Sequence, residues 1–270
     1  MSTASASMEI GRVSLTVRDI AKVGDFYAHA IGLVPMGAGD SHAVYGTGNR
    51  VLVELISDPA ARVRSPREAG LFHTAFLLPR RQDLGRWLQH VAQARVPLQG
   101  ASDHKVSEAL YLADPEGNGI EVYVDRPRSS WTRADGSIVM GTDPLDLDTL
   151  ARAADGPWTG APDGTVVGHV HLQVGAVPEA EAFYQDTLGF PVTTHYPGAA
   201  FYGSGGYHHH LATNVWNSRG AGPRTPSTGL AGFEVLADAA ELAALKARTG
   251  GATDLTDPWG TKVTVRPKLA

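Results

Sequence analysis

Histidine is the residue type in this sequence best suited to chemistry, because imidazole binds metals and exchanges protons near neutral pH. The 270-residue chain contains eleven histidines, three of them consecutive at 208–210, and no cysteine. The missing cysteine excludes disulfides, thiolate metal sites, iron–sulfur clusters and cysteine nucleophiles. A metal site in this chain would therefore be built from His, Asp and Glu side chains.

An internal repeat indicates which elements must position these side chains. The segment at 17–33 reads VRDIAKVGDFYAHAIGL and the segment at 174–190 reads VGAVPEAEAFYQDTLGF, at an offset of 157 positions. A second pair of segments, DPEGNGIEV from Asp114 and DPWGTKVTV from Asp257, matches at an offset of 143. The chain is therefore predicted to consist of two similar halves of about 105 to 120 residues each.

Each half shows the same order of elements twice. In the first half, alternating apolar residues at 10–17 predict a strand, helical spacing follows at 21–31, and three short strands come next. A second unit follows, with a helix at 82–94 and strands that include 96–99 and 104–112. The predicted fold class is α+β, built from four βαβββ modules.

The composition also suggests where one half ends and the other begins. We expect an N-terminal half at 9–126 with modules one and two, and a C-terminal half at 165–268 with modules three and four. The Pro- and Gly-rich segment between them, 127–164, contains a short helical run at 145–154. It also carries two tryptophans, which is too apolar for a free tether, so we expect it to pack over the halves.

The modules, the FY…LGF helix ends and the DPEGNGIEVY turn resemble the vicinal oxygen chelate superfamily, which includes glyoxalase I, bleomycin-resistance proteins and extradiol ring-cleaving dioxygenases. Three stretches are similar to its two-half, catechol 2,3-dioxygenase-like branch: SEALYLADPEGNGIEVYVDRPRSSW from Ser107, VGHVHLQV from Val167 and GGYHHHLATNVW from Gly205. The resemblance implies that the four modules form two cup-shaped half-barrels.

In that superfamily the metal ligands come from the first and last strands of modules. The resemblance places His73, His169 and Glu121 at such positions, in modules two and three. If module two pairs with module three, one cup holds all three, as a facial triad of two histidines and one carboxylate. The corresponding positions in modules one and four cannot bind a transition metal; they are Arg12, Leu230 and Thr264.

The resemblance also implies acid and base groups around the metal. Tyr111 lies ten residues before Glu121, and His104 lies seven before Tyr111, two residues nearer than the family spacing. The proton donor is expected from the histidine triplet, with His209 favoured. Strand alternation would put its two neighbours on the opposite face, so which face looks inward stays open. Further residues that could support the site or line the pocket are His171, His208 and His210.

Plainer interpretations of these residues also exist. A single histidine on an apolar strand, as at His171, is more often a hydrogen-bonded core residue than a ligand. The histidine triplet could be a surface strand edge, and Tyr111 could be a packing residue. In the other cup, Arg12 needs a partner for its charge, and an ion pair with Glu54 is predicted. The pocket walls are expected from the loops at 198–206 and 222–229.

The favoured function is an Fe(II)-dependent extradiol dioxygenase, with Mn(II) as an alternative metal, that opens the ring of a small aromatic diol with O₂. Two other functions are compatible with the superfamily. A glyoxalase-like isomerase or epimerase usually has two carboxylates beside its histidines, and this cup offers only Glu121. A metal-free drug-binding protein would leave the coincidence of His73, His169, Glu121 and Tyr111 unexplained.

Charge and hydropathy restrict the partners. The net charge of −5 gives no electrostatic footprint for nucleic acid, and no apolar segment reaches membrane-spanning length, so neither partner is expected. The amino terminus lacks a signal-peptide pattern, and a cytoplasmic location is predicted. Exposed sheet edges in such modules favour a homodimer.

Overall fold

The computed structural model describes residues 6–268 and contains four consecutive modules. Module one comprises β1 (Met8–Val17), α1 (Ile20–Phe26) with a π-helical turn (Tyr27–Ile31), β2 (Val34–Ala38), β3 (His42–Thr47) and β4 (Arg50–Ser57). Module two comprises β5 (Gly70–Leu77), α2 (Arg81–Gln93), β6 (Gly100–Asp103), β7 (Ser107–Ala113) and β8 (Gly119–Asp125). The strand predicted at 96–99 was misplaced: that stretch precedes β6.

The connecting segment at 127–164 contains little regular secondary structure. It contains a 3₁₀ turn (Arg128–Ser130), the two-residue strands β9 (Arg133–Ala134) and β10 (Ser137–Ile138), and α3 (Leu147–Arg152). Helix α3 lies within the predicted helical run and begins at Asp146, whose carboxylate accepts from the backbone N–H of Thr149 at 2.9 Å. The segment packs on both halves, as its apolar composition predicted, with Leu150 fully buried.

The C-terminal modules differ from one another. Module three comprises β11 (Val166–Gln173), α4 (Val177–Glu181) with a π-helical turn (Ala182–Thr187), β12 (Val192–Tyr196), β13 (Ala199–Tyr202) and β14 (Leu211–Asn214). Module four comprises β15 (Gly229–Ala237), α5 (Ala239–Thr249), β16 (Asp254–Thr256) and β17 (Lys262–Pro267).

Module four is therefore βαββ, and the prediction of four complete βαβββ modules was wrong in this detail. Among residues 6–268, module four has no counterpart of β6. The offsets of the repeat already contained this information. The offset between modules two and four is 157 before their helices, at His73 and Leu230, and 143 after them, at Asp114 and Asp257. Module four is therefore 14 residues shorter than module two between these positions. That length corresponds to one strand and its turn.

Apart from β9 and β10, which pair with each other, the strands form two curled sheets, as expected for two cup-shaped half-barrels. The order in the seven-stranded sheet is β16-β17-β15-β1-β4-β3-β2, and in the eight-stranded sheet β12-β13-β14-β11-β5-β8-β7-β6. Modules one and four thus share one sheet, and modules two and three share the other. Because each half contributes to both sheets, the division into 9–126, 127–164 and 165–268 describes chain order and stays a prediction about domains.

A continuous apolar core holds the sheets and helices together. Its largest fully buried side chains include Trp87 on α2, Tyr27 on the first π-helical turn and Tyr184 on the second. The Trp87 indole N–H donates to the carbonyl of Ala30 at 2.8 Å, which ties the helices of modules one and two together. In the described part of the chain, no helix has the length and apolar character needed to span a membrane.

Candidate metal centre and cavity

Three neighbouring strands of the eight-stranded sheet carry the residues assigned as metal ligands by the resemblance. Strand β5 lies between β11 and β8 and carries His73, while β11 carries His169 and β8 carries Glu121. The Nε2 atoms of His73 and His169 are 3.2 Å apart. Oε2 of Glu121 lies 3.0 Å from Nε2 of His73 and 3.2 Å from Nε2 of His169. The three residues are buried, with at most 6% of their surface exposed.

The turn before β8 fixes the position of Glu121. Asp114 accepts from the backbone N–H groups of Glu116 and Asn118, both at 2.9 Å, which closes the DPEGN turn. Gly119 follows, and a Cβ at this position would overlap the carbonyl of Phe72 on β5. The glycine therefore permits the close approach of β8 and β5 that places Glu121 beside His73.

The chemistry of this donor set fits a metal ion. A carboxylate oxygen brings no proton, and each neutral imidazole can place at most one on Nε2, so at most two of the three mutual contacts can be hydrogen bonds. Metal bonds of about 2.1 to 2.2 Å at right angles would place their donor atoms about 3.0 to 3.1 Å apart. The observed edges of 3.0, 3.2 and 3.2 Å match one face of an octahedron. His73, His169 and Glu121 thus form a group that could hold a metal ion.

The protonation states of the cluster suit ligation. Burial opposes ionisation of Glu121, but the charges and hydrogen bonds of His169 and His73 outweigh it and hold the pKa of Glu121 well below its usual range. Burial lowers the pKa of His169 to about 4, even though Glu121 acts in the opposite direction. At neutral pH the cluster therefore offers one ionised carboxylate and a neutral His169 imidazole.

The cluster lies in a cavity of about 340 Å³. The three candidate ligands line the cavity, and Glu121 is the one carboxylate among the described residues that line it. The remaining lining is largely apolar or aromatic: Phe72, Ser102, His104, Tyr111, Met140, Gly141, Thr142, His171, Thr194, His195, Tyr196, Phe201, His209 and Trp216. A cavity of this size and lining can take a small, mostly apolar ligand that carries a few polar atoms.

Tyr111 and His104 are linked beside the candidate ligands. Strand β7 places Tyr111 directly opposite Glu121 on β8. The Tyr111 hydroxyl lies 2.5 Å from Nε2 of His104, and Nδ1 of His104 lies 2.6 Å from the carbonyl of Gly141. Because a carbonyl only accepts, neutral His104 carries its proton on Nδ1 and accepts from Tyr111 at Nε2. Burial raises the pKa of Tyr111 well above its usual range, and the charge of Glu121 adds to the shift.

Within the triplet, only His209 lines the cavity. Its ring centroid lies 4.1 Å from that of His169. His208 is fully buried behind it, with Nδ1 2.8 Å from Nδ1 of His209 and Nε2 2.8 Å from Asp125. His210 accepts from the backbone N–H of Ser204 at 3.1 Å. The triplet precedes β14, so the assumption of strand alternation and the interpretation as a surface strand edge were both wrong.

His171 forms part of the cavity wall. It lies on β11, directly opposite His73 on β5. Its Nε2 accepts from the Asn214 amide at 3.0 Å, and its ring contacts Phe72 and Trp216 with centroid distances of 4.9 and 5.5 Å. Burial lowers the pKa of His171 well below its usual range, so it is a neutral, hydrogen-bonded wall residue.

The predicted pocket walls were partly wrong. Phe201, in the first predicted loop, lines the cavity. No residue of 222–229 does so among the described lining residues. The connecting segment supplies the missing wall through Met140, Gly141 and Thr142. This segment is held at the cavity by a pair of backbone hydrogen bonds between Asp103 and Asp143, each 2.9 Å long.

Asp125, a residue that the sequence interpretation missed, supports the cavity from behind. The signal was strand alternation on β8, which puts Glu121, Tyr123 and Asp125 on one face. No comparable signal marks Met140 or Gly141, which reach the cavity by an irregular path.

The equivalent site of the seven-stranded sheet contains an ion-pair cluster. Nε of Arg12 lies 3.6 Å from Glu54, the partner predicted from the sequence. Its Nη2 also lies 3.3 Å from Glu234, which the sequence interpretation did not include. Leu230 is buried and apolar, and Thr264 donates to Asp254 at 2.7 Å.

The chain belongs to the Glyoxalase/Bleomycin resistance protein/Dioxygenase superfamily, whose family model matches residues 9–122 and 166–265. It is 42% identical over 243 residues to a catechol-2,3-dioxygenase of Bacillus subtilis (strain 168), covering 87% of this chain and 85% of that protein. It is 41% identical over 66 residues to biphenyl-2,3-diol 1,2-dioxygenase 3 of Rhodococcus globerulus, covering 23% and 33%.

Solved structures show the same fold at low sequence identity. A structure from Bacillus subtilis subsp. subtilis str. 168 has a TM-score of 0.63 at 13% identity, covering 98% of this chain and 87% of that chain. Glyoxalase I from Zea mays has a TM-score of 0.58 at 16% identity, covering 98% and 94%. The fold is therefore shared across different reactions, and function has to be argued from the site.

Proposed function

We propose that this protein is an extradiol ring-cleaving dioxygenase, in which His73, His169 and Glu121 hold Fe(II). The triangle of donor atoms with edges of 3.0 to 3.2 Å carries this proposal. Its substrate is a small aromatic diol, and both atoms of O₂ enter the product as a ring C–C bond next to one hydroxyl breaks. The similarity to a catechol-2,3-dioxygenase over most of the chain supports the same reaction.

Bound Fe(II) supplies the redox chemistry for O₂ and open coordination positions for a chelating diol. The protein's own groups move protons and exclude water. His209, on the cavity wall beside His169, accepts a proton from a substrate hydroxyl. Tyr111 and His104 form a hydrogen-bonded pair on another part of the wall, where they orient polar atoms of the substrate.

The remaining walls select a flat apolar ring. Phe72, Phe201 and Trp216 present aromatic faces and edges to the cavity. Trp216 is fixed by its indole N–H, which donates to the carbonyl of Pro197 at 2.9 Å, and by edge contact with Phe72 at a centroid distance of 5.5 Å. These contacts favour an aromatic substrate over a short polar one.

The single carboxylate argues against an isomerase or epimerase in this superfamily. Such an enzyme usually uses two carboxylates with its histidines, and Glu121 is the one acidic residue among the described lining residues. Mn(II) suits the same ligand set and stays an alternative to Fe(II). The homodimer and the cytoplasmic location stay predictions from the sequence.

The test is anaerobic reconstitution with Fe(II), followed by air and a panel of catechols. We expect one O₂ consumed per diol, measured with an oxygen electrode, together with the yellow absorbance of the ring-opened product. Reconstitution with Mn(II) in parallel identifies the productive metal. His42→Ala, at an exposed position on β3 in the other sheet, is the control for alanine variants of the two ligand histidines and should keep full activity. A metal-loaded protein that consumes no O₂ with any catechol would refute the proposal.

A further inference from the structure

Behind the cavity wall, three polar side chains form a continuous hydrogen-bonded chain. Oδ1 of Asp125 lies 2.8 Å from Nε2 of His208, and Nδ1 of His208 lies 2.8 Å from Nδ1 of His209. The His208 side chain is fully buried and that of Asp125 is 11% exposed. His209 is the member of this chain that lines the cavity. These hydrogen bonds thus connect the Asp125 carboxylate, outside the cavity, to the His209 imidazole on its wall.

The direction of each hydrogen bond follows from the donor and acceptor capacity of the groups. The Asp125 carboxylate only accepts, so His208 carries a proton on Nε2. A neutral His208 then has a lone pair on Nδ1, which requires a proton on Nδ1 of His209. Nε2 of His209 is left without a proton. No hydrogen-bond partner for this atom is found among residues 6–268, so its lone pair is free for a ligand in the cavity.

We propose that Asp125 and His208 are positioning residues that hold His209 in its Nδ1–H tautomer, with Nε2 as a proton acceptor for a substrate hydroxyl. This inference rests on the proposed function. The proton from the hydroxyl moves to Nε2 of His209, and the Nδ1 proton of His209 moves to Nδ1 of His208. His208 then carries the positive charge, directly against the Asp125 carboxylate. The reverse transfers return the proton to the cavity.

The placement of the charge explains why two histidines are used in series. His209 contacts His169, a candidate metal ligand, with ring centroids 4.1 Å apart. A positive charge kept on His209 would lie close to a bound divalent cation, and like charges repel strongly where water is excluded. Transfer to His208 moves the charge away from the metal and toward a carboxylate. An aspartate plays the same part in a serine protease triad, where it fixes the tautomer of histidine and stabilises the imidazolium.

Further contacts hold the carboxylate in place. The Tyr207 hydroxyl donates to Oδ1 of Asp125 at 3.1 Å, and the hydroxyls of Tyr123 and Tyr207 are 2.8 Å apart. The Trp131 ring, from the connecting segment, covers His208 with a centroid distance of 5.1 Å. The dyad of Asp125 and His208 is thus built into the wall from three directions.

The first experiment locates the protons without any catalytic step. Metal-free protein with ¹⁵N-labelled histidine is studied by long-range ¹H–¹⁵N correlation spectroscopy at neutral pH. We expect the Nδ1–H tautomer for His209 and the Nε2–H tautomer for His208. In His208→Phe the partner of Nδ1 is lost, and the His209 signal should shift toward the Nε2–H form. His208→Asn, whose amide oxygen can take the place of Nδ1, should restore the Nδ1–H form.

Tyr207→Phe is the matched control, because it removes the hydrogen bond from Tyr207 to Asp125 and leaves the dyad intact; the Nδ1–H signal should persist. A wild-type His209 with its proton on Nε2, or a His208 protonated on both nitrogens in this resting state, would overturn the proposal. So would an unchanged His209 tautomer in His208→Phe.

The second experiment separates positioning from a structural role. In the Fe(II)-loaded enzyme, Asp125→Asn and His208→Phe should each lower kcat by about 10- to 100-fold, the usual range for partners that orient a reacting group. KM for the catechol and the iron content should stay within about twofold of wild type. A fall in iron content together with a changed KM and less folded protein would instead show a structural role and contradict the proposal. If the wild-type enzyme cleaves no catechol, the proposed function fails, whereas the tautomer measurement still decides the proton placement.

Discussion

The two sheets carry equivalent positions that differ in a few side chains, and these side chains decide which sheet can hold a metal. At the offset of 157, Arg12 on β1 corresponds to His169 on β11, and Leu230 on β15 corresponds to His73 on β5. At the offset of 143, Thr264 on β17 corresponds to Glu121 on β8. One sheet therefore carries three side chains that can bind a metal, and the other carries a guanidinium, an aliphatic side chain and a hydroxyl at the equivalent positions.

The two sites differ in what lies beside their carboxylates. In the seven-stranded sheet, Arg12 lies 3.6 Å from Glu54 and 3.3 Å from Glu234, so a covalently attached cation occupies the region between two acids. In the eight-stranded sheet, no arginine or lysine is among the cavity-lining residues described above, and the donor atoms face one another. The duplicated scaffold thus supports either a permanent ion pair or an open coordination site, depending on single residues.

The missing strand of module four deepens the difference. Strand β6 and the residues after it supply Ser102 and His104 to the cavity. Module four has no such strand within the described residues, so its edge strand β16 presents Asp254 where module two presents Tyr111. Among the described residues, the seven-stranded sheet therefore lacks the two histidines and one glutamate at these positions and a counterpart of the wall that β6 provides.

The largest effect is expected from removal of a candidate ligand. His73→Ala or His169→Ala should lower iron content and catechol cleavage by more than about 100-fold, since loss of groups that merely support a ligand already costs about 10- to 100-fold. Metal analysis of the purified variants, with circular dichroism to verify folding, measures this. Activity that survives in either variant would remove the difference between the two sheets.

A smaller effect is expected from the removal of one hydrogen bond beside each site. Tyr111→Phe removes the hydroxyl that donates to His104 at 2.5 Å, and kcat should fall by about 10- to 100-fold with iron retained. Thr264→Val removes the bond between Thr264 and the exposed Asp254, the positions that correspond to Glu121 and Tyr111, and the free energy of unfolding should change by less than about 0.5 kcal/mol with no change in kcat. Steady-state kinetics and urea denaturation measure the two quantities. Equal effects on kcat would show that the two sheets cooperate in catalysis.

An effect on stability alone is expected from Arg12→Leu, which leaves Glu54 and Glu234 with less positive charge nearby. The Arg12 side chain is 34% exposed, so the loss lies between that of a surface pair and a buried pair, about 1 to 2 kcal/mol of unfolding free energy. Iron content should be unchanged. Arg12→Lys, which keeps the charge, is the control and should recover part of the stability. Loss of iron from Arg12→Leu would contradict the assignment of separate roles.

Much of the architecture could be predicted, because it depends on local patterns and on the repeat. Alternating apolar residues located β1, and helical spacing located α1 and α2. The misplacement of β6 has a physical reason: residues 96–99 are apolar enough for a strand, but pairing with β7 selects 100–103. The sequence interpretation assumed four equal modules and so missed the shorter module four, although the change in offset from 157 to 143 indicates it.

The sequence by itself determined which residues can act as ligands, because donor atoms belong to residue types and the repeat with its family resemblance assigns them to strand positions. It also determined that a metal site in this chain would use His, Asp or Glu, since no cysteine is present. Only the tertiary structure decided that modules two and three share one sheet, because chain order allows either pairing. Only the tertiary structure placed Asp125 behind His208 and the Gly141 carbonyl beside His104. Hydrogen bonds between residues 83 and 37 positions apart depend on how sheets curl and loops return, and no local pattern encodes them.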